Sequence, residues 1–385
     1  MFELRPFQKD ALAALQKPCH VICVAPTGSG KSLIYEKLAA TPGMKTLLVS
    51  PLVALARQQR ERLAEAGVPV GLSSGGAREE PPEKSGIWIV SPEAFAHPAS
   101  MRRLRKWKPR LLVVDECHCL WDWGESFRPA FSGLPDLVGK PMDHGIDRSL
   151  WLTATLPFEA RASLRAQLPK PQVEIGSFLL PPGLHLSVMR VPWPSRASAL
   201  LKWLGQQEGA GVVFTLTREE SVKVARLLSS SGRKAVPYHA GLSREERCAV
   251  ELGVTRQEVD VVVATSAFGM GMNYPHLRWV ALWQVTPSLL SLAQTAGRVS
   301  RGGDAVGRAL VFWDDDDFKL LEWTVAGSLR RKNELFQVFQ FLRARGCRGE
   351  KLGRYFDPES PRRSFCGQCD FCTGETGFSC PAKIS

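Results

Sequence analysis

The sequence predicts an α/β protein with two tandem parallel-sheet domains and a small helical region that binds a metal. Short apolar runs rich in β-branched residues alternate with helical patterns, as in parallel sheets covered on both faces. This alternation starts again after a stretch rich in proline and glycine, which is typical of a linker. Strand patterns then end, and four cysteines cluster near the C-terminus. At 385 residues the chain is also too long for a single ordinary core.

Ten apolar runs mark the strands of the two predicted sheets. The first series consists of HVICV, KTLLV, GIWIV, LLVV and SLWLT, and the second of GVVF, KAVPY, DVVVAT, RWVALW and GRALVFW. The linker is predicted within LLPPGLHLSVMRVPWPS, from Leu179 to Ser195. We therefore expect domains at about 1–184 and 185–318, and a helical metal-binding subdomain at 319–385.

Composition and charge favour a globular protein with a polyanionic partner. Apolar residues make up 44% and charged residues 23% of the chain, values that exclude a disordered protein. The net charge of +12 favours nucleic acid as the partner. No apolar run reaches the ~18 residues that a membrane helix needs, and the N-terminus does not resemble a signal peptide. A cytoplasmic location without membrane contact is therefore expected.

The segment VICVAPTGSGKSLIYEKLAA predicts a phosphate-binding loop between a strand and a helix. Its backbone N–H groups can surround a phosphate at the helix N-terminus, where the helix dipole favours anions. The Lys31 ammonium would bind the β- and γ-phosphates of a nucleotide, and the Ser32 hydroxyl would bind Mg²⁺. Ala25 stands where this motif usually begins with glycine, and an ordinary glycine-rich turn is the alternative. The residues predicted to hold the phosphates are Thr27, Gly28, Ser29, Gly30, Lys31 and Ser32.

Two acids follow the apolar run LLVV directly. At the end of a strand beside the phosphate-loop strand, Asp115 could hold the Mg²⁺ of a bound nucleotide. Glu116 could then orient and activate the attacking water. In the alternative, the two acids cap a helix or loop. The presence of Lys31 and Ser32 upstream argues against this alternative.

The second strand series is followed by QTAGRVSRGG, which contains two arginines three residues apart. Arg298 or Arg301 could reach across a cleft as an arginine finger and stabilise the charge of a transition state. Gln294 opens the same segment and belongs to the predicted catalytic set together with Lys31 and the acid pair. Solvated surface arginines are the alternative.

Four cysteines near the C-terminus have the spacing of a metal site: Cys347, Cys366, Cys369 and Cys372. Zn²⁺ binds four thiolates tetrahedrally, and four protein ligands leave no open position, so a structural role is expected. An iron–sulfur cluster is the alternative, and disulfides are unfavourable in a reducing compartment. Cys380 is a spare thiol. The cysteines expected to be reduced and structural are Cys19, Cys23, Cys117, Cys119 and Cys248.

Eight segments occur in the order of superfamily 2 helicase motifs: APTGSGKS, SPLVAL, VSPEAF, DECH, TAT, YHAGL, ATSAFGMGMN and QTAGRVSR. Together with LRPFQKDAL, the aromatic-rich HCLWDWGESFRPAF and the cysteine segment, they resemble the RecQ family of ATP-dependent DNA helicases. The resemblance covers nearly the whole chain. It implies two RecA-like domains, ATP hydrolysis with Mg²⁺, a zinc subdomain and 3′→5′ unwinding, with single-stranded, tailed or forked DNA as the partner. A monomer is expected.

The resemblance also assigns roles to individual residues. Gln8 would contact the edges of adenine, and Arg5 would lie near the base. In the aromatic-rich loop Trp123 and Phe127 would stack on unpaired bases, whatever their sequence. Arg128 would bind phosphate or sense the nucleotide. The residues that would link the ATP state to DNA binding are His118, Thr153, Thr155, His239, Gly241, Thr265, Gly269 and Met270.

The sequence departs from the family pattern in several places. Ser300 and Gly302 stand where the family usually has glycine and aspartate. We expect neither the aromatic that family members place upstream of Arg5 to stack on adenine nor a winged-helix domain after Cys372. Two alternatives stay open: a DNA translocase or remodeller with weak unwinding, and a basic zinc-containing DNA-binding module with an inactive motor.

Overall fold

The computed structural model describes residues 3–123, 131, 133–139, 145–268, 274–299, 306–359 and 365–375, apart from the side chains of residues 122, 123 and 139. The chain forms two compact units, Met1–Phe178 and Leu179–Ser385. Each unit is built around one parallel sheet, so the predicted fold class is confirmed.

The first unit contains a sheet of seven parallel strands. In chain order they are β1 (His20–Val24), β2 (Lys45–Val49), β3 (Val70–Ser73), β4 (Gly86–Val90), β5 (Leu111–Val114), β6 (Arg148–Thr153) and β7 (Gln172–Ile175). Their order across the sheet is β3-β4-β2-β5-β6-β1-β7. The five predicted apolar runs form the five inner strands, and nearly all of their residues are buried.

Helices cover both faces of this sheet. Their bounds are Pro6–Ala14, Ser32–Ala39, Val53–Glu65, Pro98–Trp107, Cys119–Trp123, Asp136–Gly139 and Phe158–Gln167, with a 3₁₀ helix at Pro92–Ala96. Alternate residues of β1 belong to different apolar clusters, since Ile22 and Val24 pack in one and Val21 and Cys23 in the other. Burial on both faces explains why the strands are continuous apolar runs.

Two features of this sheet differ from the sequence prediction. The sequence does not predict the edge strands β3 and β7, because neither of them is a continuous buried apolar run. The acid-pair strand β5 does not pair with the phosphate-loop strand β1, because β6 lies between them. Crossover connections allow a later strand to insert there, and strand order cannot be obtained from the runs alone.

The second unit contains a sheet of six parallel strands. They are β8 (Leu184–Arg190), β9 (Ala210–Phe214), β10 (Ala235–Tyr238), β11 (Val261–Ala264), β12 (Leu277–Leu282) and β13 (Gly307–Trp313), in the order β10-β11-β9-β12-β13-β8. The helices are Arg196–Leu204, Arg218–Ser230, Arg244–Thr255, Leu289–Ala296, Asp315–Thr324, Leu329–Arg343, Arg348–Phe356 and Asp370–Thr373, with 3₁₀ helices at Trp193–Ser195 and Gly297–Val299. In the core, Trp203 and Trp279 pack edge to face with ring centroids 5.7 Å apart.

The predicted linker is partly a strand. Within Leu179–Ser195, the segment Leu184–Arg190 is β8, which pairs along its whole length with β13. Flanking prolines hide this strand in the sequence, yet they lie outside the residues that pair, so they remove no hydrogen bond from the ladder.

A buried ion pair joins the start of one helix to another in this unit. The Arg196 guanidinium donates to both carboxylate oxygens of Asp317, at 3.0 and 2.6 Å, and both side chains are fully buried. Arg196 also donates to the carbonyls of Val191 and Trp283. The charged pair is therefore almost fully hydrogen-bonded, which a buried ion pair requires.

The part after β13 is helical, as predicted from Lys319 onward: the residues described there form four helices and no strand of the sheet. None of the described helices is long and apolar enough to cross a membrane. Of the five cysteines expected to be reduced and structural, four are buried, whereas Cys248 is exposed on helix Arg244–Thr255.

Candidate nucleotide and metal sites

The predicted phosphate loop connects β1 to helix Ser32–Ala39 at the carboxyl edge of the first sheet. Gly28 and Gly30 have φ of +74° and +78°, the left-handed region that favours glycine. A Cβ on Gly30 would also lie 3.0 Å from the side chain of Gln8. Ser29 is buried between them, whereas Thr27 is half-buried. The loop thus has the backbone that a phosphate cradle needs.

The Lys31 ammonium contacts its own loop. Its Nζ donates to the carbonyl oxygens of Ala25 at 2.9 Å and Pro26 at 3.1 Å. These are neutral acceptors, and a phosphate would be a stronger partner for the ammonium. The lysine is therefore held at the loop where a triphosphate would need it.

Gln8 lies against the phosphate loop. It is almost fully buried, and its Nε2 donates to the Gly30 carbonyl at 2.7 Å. Its Oε1 accepts from the Arg5 backbone N–H at 2.8 Å, while the Arg5 side chain is exposed. Gln8 is thus adjacent to the loop, and Arg5 directly precedes helix Pro6–Ala14, which carries Gln8.

Asp115 and Ser32 could supply oxygen ligands to Mg²⁺, which prefers such donors. Asp115 accepts from Gln59 Nε2 at 2.7 Å and from the Glu116 N–H at 3.0 Å. Burial and the Glu116 carboxylate raise the pKa of Asp115, while the nearby Lys31 ammonium opposes the shift. A half-buried carboxylate next to a second acid is suited to a divalent cation.

Glu116, His118 and the TAT segment form one hydrogen-bonded network. Glu116 has φ of +50°, a conformation that is uncommon for a residue with a Cβ and frequent at functional sites. His118 Nδ1 lies 3.3 Å from Glu116 Oε2 and 3.0 Å from Thr153 Oγ1. Thr153 Oγ1 in turn donates to the Thr155 carbonyl and accepts from the Thr155 N–H. A change at the acid pair can thus reach the TAT segment through one imidazole.

The aromatic-rich loop is only partly within the described residues. Trp121 is half-buried and packs against the first core. Trp123 ends helix Cys119–Trp123, and its side chain lies outside the described part of the structure, as do Phe127 and Arg128.

In the second unit, several predicted residues follow the carboxyl ends of parallel strands. His239 follows β10, Thr265 follows β11, and both lie at the edge where ligands of α/β sheets usually bind. The Arg298 guanidinium lies over the ring of Phe214 at the end of β9, 5.6 Å from its centroid.

Other residues predicted for the second unit can be placed more briefly. Gln294 is half-buried in helix Leu289–Ala296, one turn before Arg298. Gly241 is exposed. Gly269, Met270 and Arg301 lie outside the described residues, as does Cys380 near the C-terminus.

The four predicted zinc cysteines lie together. The Sγ atoms of Cys347, Cys366, Cys369 and Cys372 are all within 4.8 Å of one another. A tetrahedral site with Zn–S bonds of 2.3 Å needs sulfur atoms about 3.8 Å apart, and the Cys366 and Cys372 sulfurs are 3.9 Å apart. The donor set and its size therefore fit zinc.

Backbone N–H groups surround the sulfur atoms. Cys347 Sγ accepts from the N–H groups of Glu350 and Cys366, at 3.3 and 3.2 Å, and Cys369 Sγ accepts from that of Arg348 at 3.3 Å. A hydrogen bond from Cys366 lowers the pKa of Cys369 against the effect of burial. Such contacts stabilise thiolates, the form in which cysteine binds a metal.

The segment 366–372, which we call the cysteine loop, also covers the outer edge of β8. The Leu186 N–H donates to the Gln368 carbonyl at 3.2 Å, and the Val188 N–H donates to Asp370 Oδ2 at 3.0 Å. The Gln368 amide further binds the carbonyl of Pro181 at 3.1 Å. The edge strand of the second sheet is thus closed by the segment that carries the metal ligands.

Two residues that the motifs do not predict contact the proposed magnesium ligands. Both lie on helix Val53–Glu65: Gln59 binds Asp115, and Arg62 Nη1 donates to Ser32 Oγ at 2.9 Å. The sequence indicates that Gln59 is buried, because helical spacing places it on the same face as the buried residues Ala56 and Leu63. A polar residue at such a position needs a buried partner.

Comparison with known proteins agrees with this arrangement. The sequence model of the DEAD/DEAH box helicase family matches residues 5–163, and that of the helicase conserved C-terminal domain matches residues 195–303. ATP-dependent DNA helicase RecQ of Bacillus subtilis is 27% identical over 367 residues, which cover 91% of the chain. The chain is RecQ-like. The predicted resemblance is therefore confirmed.

Further relatives of the RecQ-like chain include RecQ of Pasteurella multocida, 29% identical over 96% of the chain, and ATP-dependent DNA helicase Q5 of Mus musculus, 29% identical over 95%. The chain spans 61%, 60% and 41% of the lengths of the Bacillus, Pasteurella and mouse proteins.

Solved structures share the fold. Helicase Lhr of Mycobacterium smegmatis, bound to ssDNA and AMP-PNP, aligns with a TM-score of 0.63 and 24% identity over 86% of this chain and 48% of Lhr. Dbp5 of S. cerevisiae, bound to RNA and ADP BeF3, aligns with a TM-score of 0.62 and 17% identity over 86% of this chain and 88% of Dbp5. At these identities the likeness concerns the fold alone.

Proposed function

We propose that the RecQ-like chain is an ATP-dependent DNA helicase that moves 3′→5′ along one strand. The observation that carries the proposal is the first-unit site, where Lys31, Asp115 and Glu116 lie at one carboxyl edge. Glu116 also connects through His118 to Thr153. The names of the RecQ relatives and the net charge of +12 support DNA as the substrate. The proposed direction follows the RecQ resemblance.

The first-unit residues divide the chemistry of hydrolysis among them. The phosphate loop would bind the phosphates through its N–H groups, and Lys31 would exchange its two carbonyl acceptors for phosphate oxygens. Bound Mg²⁺, held by Ser32 and Asp115, would neutralise phosphate charge. Glu116 would orient the attacking water and take up its proton. His118 would then sense the charge of Glu116 and shift its hydrogen bond to Thr153.

The other predicted residues belong to the same proposal. Gln8 and Arg5 would bind the adenine. The residues proposed to act in transition-state stabilisation or in coupling to DNA are Trp123, Phe127, Arg128, Thr155, His239, Gly241, Thr265, Gly269, Met270, Gln294, Arg298 and Arg301. Residues 319–385 would form a zinc-stabilised subdomain whose basic side chains contact duplex phosphates.

The decisive variant is Lys31→Ala. DNA-stimulated ATP hydrolysis should fall to background because phosphate charge is no longer matched, whereas DNA binding should persist. Lys37→Ala is the matched control, because Lys37 is exposed on the same helix. Turnover that survives in Lys31→Ala would overturn the proposal. Wild-type protein that binds DNA without any ATP turnover would instead support the DNA-binding module.

Two further assays address direction and coupling. A duplex with a 3′ single-stranded tail should be unwound, and one with a 5′ tail should not; the reverse would contradict the proposed direction. In Trp123→Ala, stimulation of ATP hydrolysis by single-stranded DNA should fall while basal turnover changes little. Equal loss of both activities would indicate damaged packing instead.

A further inference from the structure

Only one of the two polar atoms of the Gln59 side-chain amide has a hydrogen-bond partner within the described part of the chain. The residue is 5% exposed and lies on the inner face of helix Val53–Glu65. Nε2 donates to Asp115 Oδ2 at 2.7 Å, but Oε1 has no hydrogen-bond partner among the residues that the structure describes. A buried carbonyl oxygen without a partner costs about 1–3 kcal/mol, so a partner is expected in the working protein.

The orientation of the amide is fixed by chemistry. An ionised carboxylate only accepts hydrogen bonds, so the nitrogen of Gln59 must face Asp115 and the oxygen must be the free atom. Oε1 belongs to the same planar amide group as Nε2, and therefore lies within a few ångströms of the Asp115 carboxylate. The missing partner must be a hydrogen-bond donor at this place.

Water bound to magnesium is such a donor. Mg²⁺ keeps several of its waters in nucleotide sites, and these waters are strong donors because the metal polarises them. We propose that Gln59 is a positioning residue of the magnesium site. Its Nε2 orients the carboxylate of Asp115, and its Oε1 accepts a hydrogen bond from a water on the metal. This inference rests on the proposed function.

The side chain suits this role because it is neutral. Asp115 and Glu116 already place two acidic side chains at the site, and a third carboxylate at position 59 would repel them at short range. A lysine or arginine at position 59 would compete with the metal for the same oxygen atoms. An amide can hold the carboxylate and bind water at the same time.

Gln59→Met is the test, with Gln58→Met as the matched control. Methionine keeps the length and volume of the side chain and removes both polar atoms, while Gln58 is exposed on the same helix. The measurement is the Mg²⁺ concentration that half-saturates the binding of a fluorescent ADP analogue. Gln59→Met should need 10- to 100-fold more Mg²⁺, about the usual effect of removing an outer-shell partner of a metal site. Gln58→Met should match the wild type.

Binding of the same ADP analogue in excess EDTA and the thermal unfolding midpoint serve as folding checks. Nucleotide affinity without metal should be unchanged in Gln59→Met. A lower unfolding midpoint with an unchanged Mg²⁺ requirement would show a purely structural role and overturn the inference alone. Wild-type protein that shows no Mg²⁺-dependent nucleotide binding would overturn the proposed function as well.

Discussion

Two glycines of helix Arg348–Phe356 offer a sharp test of the zinc site. A Cβ on Gly349 would lie 2.6 Å from the Cβ of Cys366 and 3.0 Å from its Sγ. A Cβ on Gly353, one turn later, would meet no atom within 4 Å. Neither glycine has a positive φ, so the backbone tolerates alanine at both positions. The two alanine variants therefore differ in whether the new methyl group displaces a proposed metal ligand.

The structure sets the size of the expected effect. Carbon atoms in contact are normally about 3.5–4.0 Å apart, so Cys366 must move by roughly 1 Å to accommodate Gly349→Ala. Metal–ligand distances tolerate only about 0.2 Å. We expect overpacking to cost about 1–3 kcal/mol and zinc affinity to fall by about 10- to 100-fold. Gly353→Ala should instead stabilise the helix by about 0.5–1 kcal/mol.

Competition with a chromophoric chelator measures zinc affinity, and elemental analysis measures zinc content. The wild type and Gly353→Ala should each hold one zinc per chain and release it at the same chelator concentration. Gly349→Ala should release zinc at a lower chelator concentration. Wild-type affinity in Gly349→Ala would refute the reasoning, because a displaced Cys366 cannot remain an undisturbed ligand. Iron in place of zinc in the purified protein would support an iron–sulfur cluster at this site.

Arg196→Ala should lower the free energy of unfolding by about 3–5 kcal/mol, because Asp317 would stay buried without its partner. The double change Arg196→Met with Asp317→Leu should cost less in the same denaturation assay, and an equal cost would contradict the argument. Zinc removal by a chelator should speed hydrogen exchange at the amides of Leu186 and Val188, since their acceptors lie in the cysteine loop; unchanged exchange would contradict this coupling. Glu116→Gln should slow ATP turnover by about 100-fold or more and leave nucleotide binding intact, and a matching loss of binding would argue against its role as the base.

Most of the fold is predictable because burial and sequence pattern coincide in its inner strands. A strand covered on both faces must be apolar at every position, and this is how β1, β2, β4, β5 and β6 are visible in the sequence. The edge strands β7 and β8 do not meet this condition. β7 has two exposed residues among four, and β8 lies between prolines, so neither has a distinctive pattern. Strand order is a further property that local patterns do not contain.

The first-unit site is predictable for a different reason. A phosphate cradle needs glycine where φ is positive, and magnesium needs an oxygen ligand at a strand end, so the residue types themselves are constrained. Contacts such as those of Gln59 and Arg62 do not require one particular residue type at a recognisable place in the sequence. They depend on which turn of helix Val53–Glu65 faces the site, and this is set by packing between elements that are far apart in the chain.

The cysteine loop and β8 illustrate how two weak sequence signals become one structural element. The proline-flanked strand has an open edge, and the cysteine loop (residues 366–372) is short, with one turn of helix at Asp370–Thr373. Contact between β8 and the cysteine loop stabilises both. Gln368 and Asp370 supply hydrogen-bond acceptors to the strand, and the strand holds the residues on either side of Cys369 in place. Metal binding would hold that loop in the one conformation that closes the edge. Zinc affinity and the stability of β8 should therefore be linked, so that whatever weakens one weakens the other.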